Sequence, residues 1–219
     1  MRKAITSSLT RHDLVLTDDA IERVVAWADL ARKHGRRTNL IGTFDPARIA
    51  EELVADSLQL LHLLDRERFE VIDVGSGAGV PGLILAAAHA PTARSLLIEP
   101  RQKRAMFLRH AVRALGAAEI IQIRCARLED LDATALERDA ARLWVSRAVF
   151  APERWLDVVA EHAQTGDHCA VWCNEHLRPD DLVVHPGWTL RSHRPYRLQG
   201  PGARTVFLYR WRGTEDPSA

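Results

Sequence analysis

Residues Phe69 to Gly82 read FEVIDVGSGAGVPG, and this stretch decides the fold of the chain. The apolar run Val71–Val74 predicts a short buried strand, interrupted by a single acid, Asp73. Alternating glycines follow the strand, and an apolar helix is predicted to begin at Leu83. Glycine lets the backbone turn at positive φ and approach a ligand closely, and a helix N-terminus behind such a turn favours anionic groups. The stretch therefore predicts a strand–turn–helix cradle for a cofactor.

Two cofactors compete for this glycine pattern. Gly77, Gly79 and Gly82 match the G-x-G-x-x-G fingerprint of dinucleotide-binding turns, but Pro81 lies where the helix should open. The alternative unit, D-x-G-x-G-x-G from Asp73 to Gly79, resembles the first motif of S-adenosyl-L-methionine (AdoMet) methyltransferases. An acid at the strand end suits the cationic methionine end of AdoMet and would repel a pyrophosphate. A turn without any ligand is disfavoured, because closely spaced glycines carry an entropic cost.

A second acid stands where the next strand is predicted to end. Residues Arg94 to Ile98 predict that strand, and Glu99 follows it directly. An acid at this position of a βαβ unit binds ribose hydroxyls. We therefore predict that Asp73, Gly75, Gly77 and Glu99 bind the cofactor.

Composition limits the classes to which the chain can belong. With 219 residues, 47% of them hydrophobic, the chain can form one α/β domain and a small addition. Its three cysteines are few and odd in number, which favours a reducing compartment. The N-terminal residues contain no apolar signal segment, and no apolar run is long enough to span a membrane. We expect a cytoplasmic protein that acts as a monomer, without a membrane or a metal as partner.

The N-terminal third is predicted to be helical. Thr17 and Asp18 can cap a helix that ends at Gly35, a loop is predicted over Arg36–Thr43, and Asp45-Pro46 is a helix start signal. A polar break after this second helix marks a boundary. We predict an N-terminal helical extension over residues 1–66, packed on the sheet of a second part, 67–219.

Strands and helices alternate from Phe69 onward. This order predicts a mostly parallel, doubly wound, Rossmann-like sheet whose ligand lies at the carboxyl ends of the strands. Two or three further strands are predicted in the last third. The predicted elements are strands at 94–98, 120–123, 143–145 and 169–172, helices at 83–90, 101–115 and after Pro152, and late strands at 182–184, 188–190 and 206–209.

Several segments together resemble the GidB (RsmG) family, which methylates a guanine of bacterial small-subunit ribosomal RNA at ring nitrogen seven. The segments are VIDVGSGAGVPG, IEPRQKRAMFLRHAVRALG, CARLEDL and VSRAVF, together with Asn39-Leu40 and the Asp56-Ser57-Leu58 segment. The resemblance implies the class I AdoMet-dependent methyltransferase fold, with AdoMet as cofactor and 16S ribosomal RNA or its subunit as partner. Two positions depart from the family pattern: Leu53 replaces a histidine, and Cys173-Asn174 replaces a lysine-glycine pair.

The resemblance also implies roles for individual residues. Gly75 and Val80 would touch the methionine part of AdoMet, and Glu99 would bind the ribose. The backbone of Leu128 and Glu129 would line the adenine. A further cofactor contact, from the end of the fourth strand, is implied for Arg147, although a lone arginine there is more often part of a surface ion pair.

The implied reaction fits the absence of other catalytic motifs in the sequence. Ring nitrogen seven of guanine carries an in-plane lone pair and no proton, so in-line methyl transfer to it needs orientation and charge balance rather than a general base. The fourth strand ends in Val145-Ser146-Arg147-Ala148, without the Asn/Asp-Pro-Pro-aromatic motif that accepts from an exocyclic amine, and no Pro-Cys nucleophile is present. Buried structural roles are favoured over zinc binding for Cys169 and Cys173, whose spacing lacks a C-x-x-C knuckle. We therefore expect no catalytic acid or base.

Basic segments suggest an anionic partner even though the formal net charge is only +1. Five cations and no acid lie between Arg101 and Arg113, and the C-terminal segment interleaves arginines with aromatic residues. The predicted RNA-binding residues are Arg36, Arg37, Arg101, Lys103 and Arg104. Three alternatives stay open: a small-molecule methyltransferase of the same fold, a non-enzymatic RNA-binding relative, and, more distantly, a dehydrogenase.

Overall fold

A computed structural model describes residues 1–64, 69–88, 94–131, 140–174, 178, 182, 185–200 and 202–213, and for residues 36–38 only the backbone. In this part of the chain one sheet has seven strands, β1 (Glu70–Val74), β2 (Ser95–Ile98), β3 (Ile121–Arg124), β4 (Arg142–Val145), β5 (His168–Asn174), β6 (Trp188–Leu198) and β7 (Gly202–Trp211). Their order in the sheet is β3-β2-β1-β4-β5-β7-β6. Strands β1 to β5 run parallel, and β7 runs antiparallel to both of its neighbours. The predicted mostly parallel sheet is confirmed.

The helices cover both faces of the sheet. One buried cluster combines residues of the N-terminal helices, such as Trp27, with Leu83, Leu108 and Leu143. The second cluster, on the other face, includes Trp155 and the partly buried Phe150. Alternate residues of each central strand point to opposite faces of the sheet. Because the strands are apolar at successive positions, they contribute apolar side chains to both clusters. The helices are α1 (Arg2–Arg11), α2 (Asp18–Thr38), α3 (Pro46–Ile49), α4 (Asp56–Leu58), α5 (Gly82–Ala88), α6 (Gln102–Ala114) and α7 (Pro152–Ala160).

Helix α2 is longer than predicted. Its start is confirmed, because the Thr17 side chain accepts a hydrogen bond from the Ala20 backbone, but the predicted end at Gly35 is wrong. The helix continues to Thr38 and ends where Asn39 adopts the left-handed conformation, so the predicted loop at 36–43 begins three residues later. Gly35 serves close packing instead, since a Cβ there would lie 2.9 Å from Ile41.

The segment from α3 to α4 is one continuous helical stretch that changes its hydrogen-bond spacing. Asp45 caps it as predicted, by accepting from the Arg48 backbone at 3.0 Å. A π-helical turn, Ala50–Ala55, links α3 to α4, and a 3₁₀ turn, Gln59–His62, follows. π-Turns inside α-helices are uncommon and often lie near functional sites. Helix α1 had no counterpart in the sequence prediction.

The C-terminal strands form a hairpin that is longer than the predicted short strands. Strand β7 pairs with β5 over most of its length, and β6 forms the edge of the sheet. The predicted strand at 182–184 falls mostly outside the described residues, as does the predicted boundary between residues 66 and 67. The division into two parts therefore stays a prediction. None of the described helices is long and apolar enough to span a lipid bilayer.

Candidate active site

The glycine turn after β1 lies at the carboxyl edge of the sheet, as predicted. The amides of Gly75 and Ser76 donate to the Ile98 carbonyl oxygen at 2.8 and 3.1 Å, so the turn is fastened to the end of the neighbouring strand β2. Gly75, Gly77 and Gly79 have φ values of +74°, +56° and +89°. Residues with side chains rarely adopt this region, which explains the alternating glycines.

The glycines of the turn have different neighbours. A Cβ on Gly79 would lie 2.6 Å from the Leu83 Cβ, and one on Gly82 would lie 2.5 Å from the Asp73 Cβ, so these two glycines permit close packing of α5. A Cβ on Gly77 would meet nothing nearer than 3.8 Å. Gly77 therefore leaves open space at the turn.

Asp73 is fully buried beneath the glycine turn. Its Oδ2 accepts a hydrogen bond from the Gly82 N–H, the first amide of helix α5, at 2.9 Å. Its Oδ1 has no hydrogen-bond partner among the described residues. Burial raises the pKa of Asp73 to about 7, and nearby Glu99 adds to that rise. A buried carboxyl oxygen without a partner favours a cationic or hydrogen-bond-donating ligand and disfavours a phosphate.

Glu99 is buried beside the turn and held in one orientation. Its Oε2 accepts the Gly77 N–H at 2.9 Å, and its Oε1 accepts the Arg101 N–H at 2.8 Å. Each carboxylate oxygen keeps a further lone pair for a hydroxyl group. The glycine turn, Asp73 and Glu99 thus lie together, as the sequence predicted.

The other predicted cofactor contacts occupy varied environments. Val80 is half-buried and packs against the core. Leu128 is buried and Glu129 is exposed, both in a 3₁₀ turn (Leu128–Asp130) after β3. Arg147 is bonded to the N-terminal helical segment: its Nη1 donates to Asp56 Oδ2 at 2.8 Å, and its Nη2 donates to the Glu52 carbonyl oxygen at 2.8 Å.

Sequence reasoning missed three contributors to this site. The indole N–H of buried Trp27 donates to the carbonyl oxygen of Ala78, in the glycine turn, at 2.8 Å. Val149 lies in the loop after β4, residues 146–150, which we call the β4 loop; its Cγ2 would be 2.5 Å from a Cβ on Gly75. Asp56 holds the arginine of that loop. A tryptophan within the apolar stripe of α2 was a usable signal for the first contact, but no local pattern pairs Asp56 with the β4 loop.

The predicted RNA-binding residues flank the cradle where they are described. Arg101 and Lys103 are exposed at the start of α6. Half-buried Arg104 lies closer to the turn, with Nη1 3.8 Å from the Cβ position of Gly77. The side chains of Arg36 and Arg37 lie outside the described residues.

The cysteines and histidines do not form a metal centre in the described part of the chain, where no three His, Cys, Asp or Glu side chains converge. Cys169 and Cys173 are buried free thiols of the second core cluster. Burial raises the pKa of both, to about 11 for Cys173. Such thiols are inert and serve packing.

Comparisons with known proteins agree with this geometry. The model of the family described as "GidB: rRNA small subunit methyltransferase G" matches residues 20–179. A "Ribosomal RNA small subunit methyltransferase G" from Desulfotalea psychrophila is 43% identical over 130 residues, covering 58% of each chain. The protein of the same name from an Anaeromyxobacter species is 34% identical over 166 residues, covering 74% of each. The crystal structure of TrmN from Thermus thermophilus, 24% identical, has a TM-score of 0.50 over 71% of this chain and 48% of its own, which shows the shared fold.

Proposed function

Since the chain belongs to the GidB family of small-subunit rRNA methyltransferases G, we propose that it transfers a methyl group from AdoMet to ring nitrogen seven of a guanine in 16S ribosomal RNA. The predicted class I AdoMet-dependent methyltransferase fold is confirmed by the family match and the strand order. The acceptor atom and the mechanism are the parts of this proposal that go beyond family membership.

One observation carries the proposal: the buried Oδ1 of Asp73 lacks a partner among the described residues, directly beneath an open glycine turn. AdoMet carries a positively charged ammonium and a sulfonium, and either charge would compensate the buried carboxylate. Glu99, fixed against Gly77, suits the ribose hydroxyls. A dinucleotide fits less well, because the first amide of α5 already donates to Asp73.

The protein's own task in this reaction is to bind and orient. AdoMet supplies an activated methyl group on its sulfonium. Asp73 and Glu99 are both buried and bonded to the backbone of the turn, which suits them to hold the cofactor rather than to move a proton. Because nitrogen seven of guanine bears no proton, in-line displacement needs orientation of the two reactants rather than a general base. We propose Gly75, Val80, Leu128 and Glu129 as further cofactor contacts.

We propose that RNA binds across the start of α6. Arg101 and Lys103 are exposed there, and Arg104 links this face to the glycine turn. Guanidinium and ammonium groups bind phosphates and fix the register of an RNA strand. We also propose Arg36 and Arg37 as RNA-binding residues.

Three parallel incubations with tritiated AdoMet test this function. The acceptors are naked small-subunit RNA, assembled small subunits and a metabolite extract. We expect label in one or both RNA samples, located at a guanine by digestion and chromatography. Label in the extract alone would favour a small-molecule methyltransferase, and RNA retention without AdoMet binding would favour a non-enzymatic relative.

The same proposal implies where the protein works and in what form. A ribosomal RNA substrate and free cysteines fit the reducing bacterial cytoplasm. We propose that a monomer suffices, because the residues assigned to the cofactor all come from one chain. Sedimentation of the protein with and without RNA checks the second point.

A further inference from the structure

Asp56 lies at the centre of a buried polar network. Its carboxylate is fully buried. Oδ2 accepts hydrogen bonds from Arg147 at 2.8 Å and from Arg204 at 3.1 Å, and Oδ1 accepts from the Tyr196 hydroxyl at 2.5 Å. The Trp172 indole N–H donates to the Asp56 carbonyl oxygen at 3.0 Å. One residue of the N-terminal helices therefore contacts β5, β6, β7 and the β4 loop together.

The β4 loop is anchored at two adjacent positions. The Ser146 hydroxyl donates to the Val74 carbonyl oxygen at 2.8 Å, which ties the loop to the end of β1. Arg147 reaches in the other direction, to Asp56 and to a carbonyl oxygen of the π-helical turn. Ala148, the next residue, has a φ of +59°. A residue with a side chain stays in that conformation only where its surroundings hold it there.

Val149 is the residue that this arrangement places on the cradle. Its side chain is 48% exposed, yet it lies against Gly75 so closely that a Cβ there would approach it to 2.5 Å. An exposed aliphatic side chain thus lies against the first glycine of the turn. Val149 is joined to the anchor at Asp56 through the backbone of Arg147 and Ala148.

We propose that Asp56 is a positioning residue of the cofactor site: by holding Arg147, it keeps Val149 at the wall of the cradle beside Gly75. This inference rests on the proposed function, because it takes AdoMet to bind against that wall. It gives Arg147 a loop-anchoring role in addition to the direct cofactor contact that the family resemblance implies.

A purely structural role is the alternative. Buried ion pairs often add little net stability, although removal of one partner is costly. The chain offers a control for that cost, since buried Arg142 and partly buried Glu70 form another ion pair, at 3.2 Å, at the amino edge of the sheet and away from the cradle. Glu70→Gln and Asp56→Asn make the same chemical change at opposite edges.

The experiment makes two measurements: binding of S-adenosylhomocysteine by calorimetry, and hydrogen exchange of the β4 loop, residues 146–150, in the cofactor-free protein. We expect Asp56→Asn to raise the dissociation constant about tenfold, a typical coupling within one hydrogen-bond network, and to speed exchange in the β4 loop. Glu70→Gln should change neither quantity. Equal affinity and equal loop exchange in Asp56→Asn and wild type would overturn the inference.

A double-mutant cycle tests whether Asp56 acts through Arg147. In an Arg147→Ala background, Asp56→Asn should cause no further loss of affinity, whereas an independent role predicts the full loss again. If Asp56→Asn does not fold, Tyr196→Phe replaces it in both experiments: it removes one bond to the carboxylate and keeps every charge. It should weaken binding and speed loop exchange to a smaller extent, and no change in either would count against the inference.

These outcomes separate this inference from the proposed function. If wild-type protein does not bind S-adenosylhomocysteine, the proposed function fails, while loop exchange still reports on the anchor. If wild type binds and Asp56→Asn binds equally well with an unchanged loop, only the positioning role is wrong.

Discussion

Replacement of Asp73 by asparagine should stabilise the cofactor-free protein at alkaline pH. The pKa of Asp73 is raised from 3.8 to about 7 by burial, so the folded state binds a proton more tightly than the unfolded state does. Between pH 4 and 7 the folded state then carries more protons, and the free energy of unfolding falls as pH rises. An asparagine side chain at this position can accept the Gly82 N–H without this penalty.

The size of this effect on the free energy of unfolding follows from the rise in the Asp73 pKa. Each pKa unit corresponds to about 1.4 kcal/mol, so a rise of about three lowers the free energy of unfolding of wild type by about 4 kcal/mol between pH 4 and 7. The Asp73→Asn variant should escape this loss. The pKa values of Glu51 and His62 are lowered, but these groups contribute equally to both proteins and cancel in the difference.

Urea unfolding of both proteins at half-unit pH steps from 4 to 8, without cofactor, measures this difference. We expect the variant's advantage to grow with pH and to level off above 7. The same variant should bind S-adenosylhomocysteine more weakly, because the proposed cationic partner loses its counter-charge. Parallel stability curves for the two proteins would refute the assignment of a buried, neutralised carboxyl at Asp73.

Three further predictions concern the cradle and its surroundings. Gly75→Ala should abolish cofactor binding, measured by calorimetry. The control Gly116→Ala should bind the cofactor normally, because it introduces a similar left-handed strain of about 1–2 kcal/mol at a position with nothing within 4 Å. Equal binding by both variants would contradict the assignment of Gly75 to the cofactor site. Lys103→Glu should weaken RNA binding in a filter-binding assay, and the slope of the logarithm of affinity against the logarithm of salt concentration should become shallower by about 0.7 per lost phosphate contact. The control Arg210→Glu, at the amino edge of the sheet, should change neither the affinity nor this slope. Trp27→Phe should destabilise the protein by about 1–3 kcal/mol in urea, since a buried carbonyl oxygen of the glycine turn loses its donor, and unchanged stability would show that water replaces the indole.

Local patterns predicted the parts of the site that lie on one strand–turn–helix unit. Asp73 and the glycines are decided by backbone geometry within a few residues, and Glu99 by the spacing of the next strand, so all were found from sequence. The end of α2 was misplaced because Gly35 is needed for packing against Ile41, a contact that no local pattern encodes. Contacts between residues far apart in the chain, such as Arg147 with Asp56, depend on topology and were missed for the same reason.

The N-terminal helices are more than a cover for the sheet. Trp27 bonds to the glycine turn, and Asp56 holds the β4 loop, so two parts of the cradle depend on residues that precede the first strand. The same helices share one apolar cluster with Leu83 and Leu143. A chain lacking these helices would expose that cluster and lose both supports at once. Because linkage is reciprocal, cofactor binding should in turn stabilise the packing of the N-terminal helices.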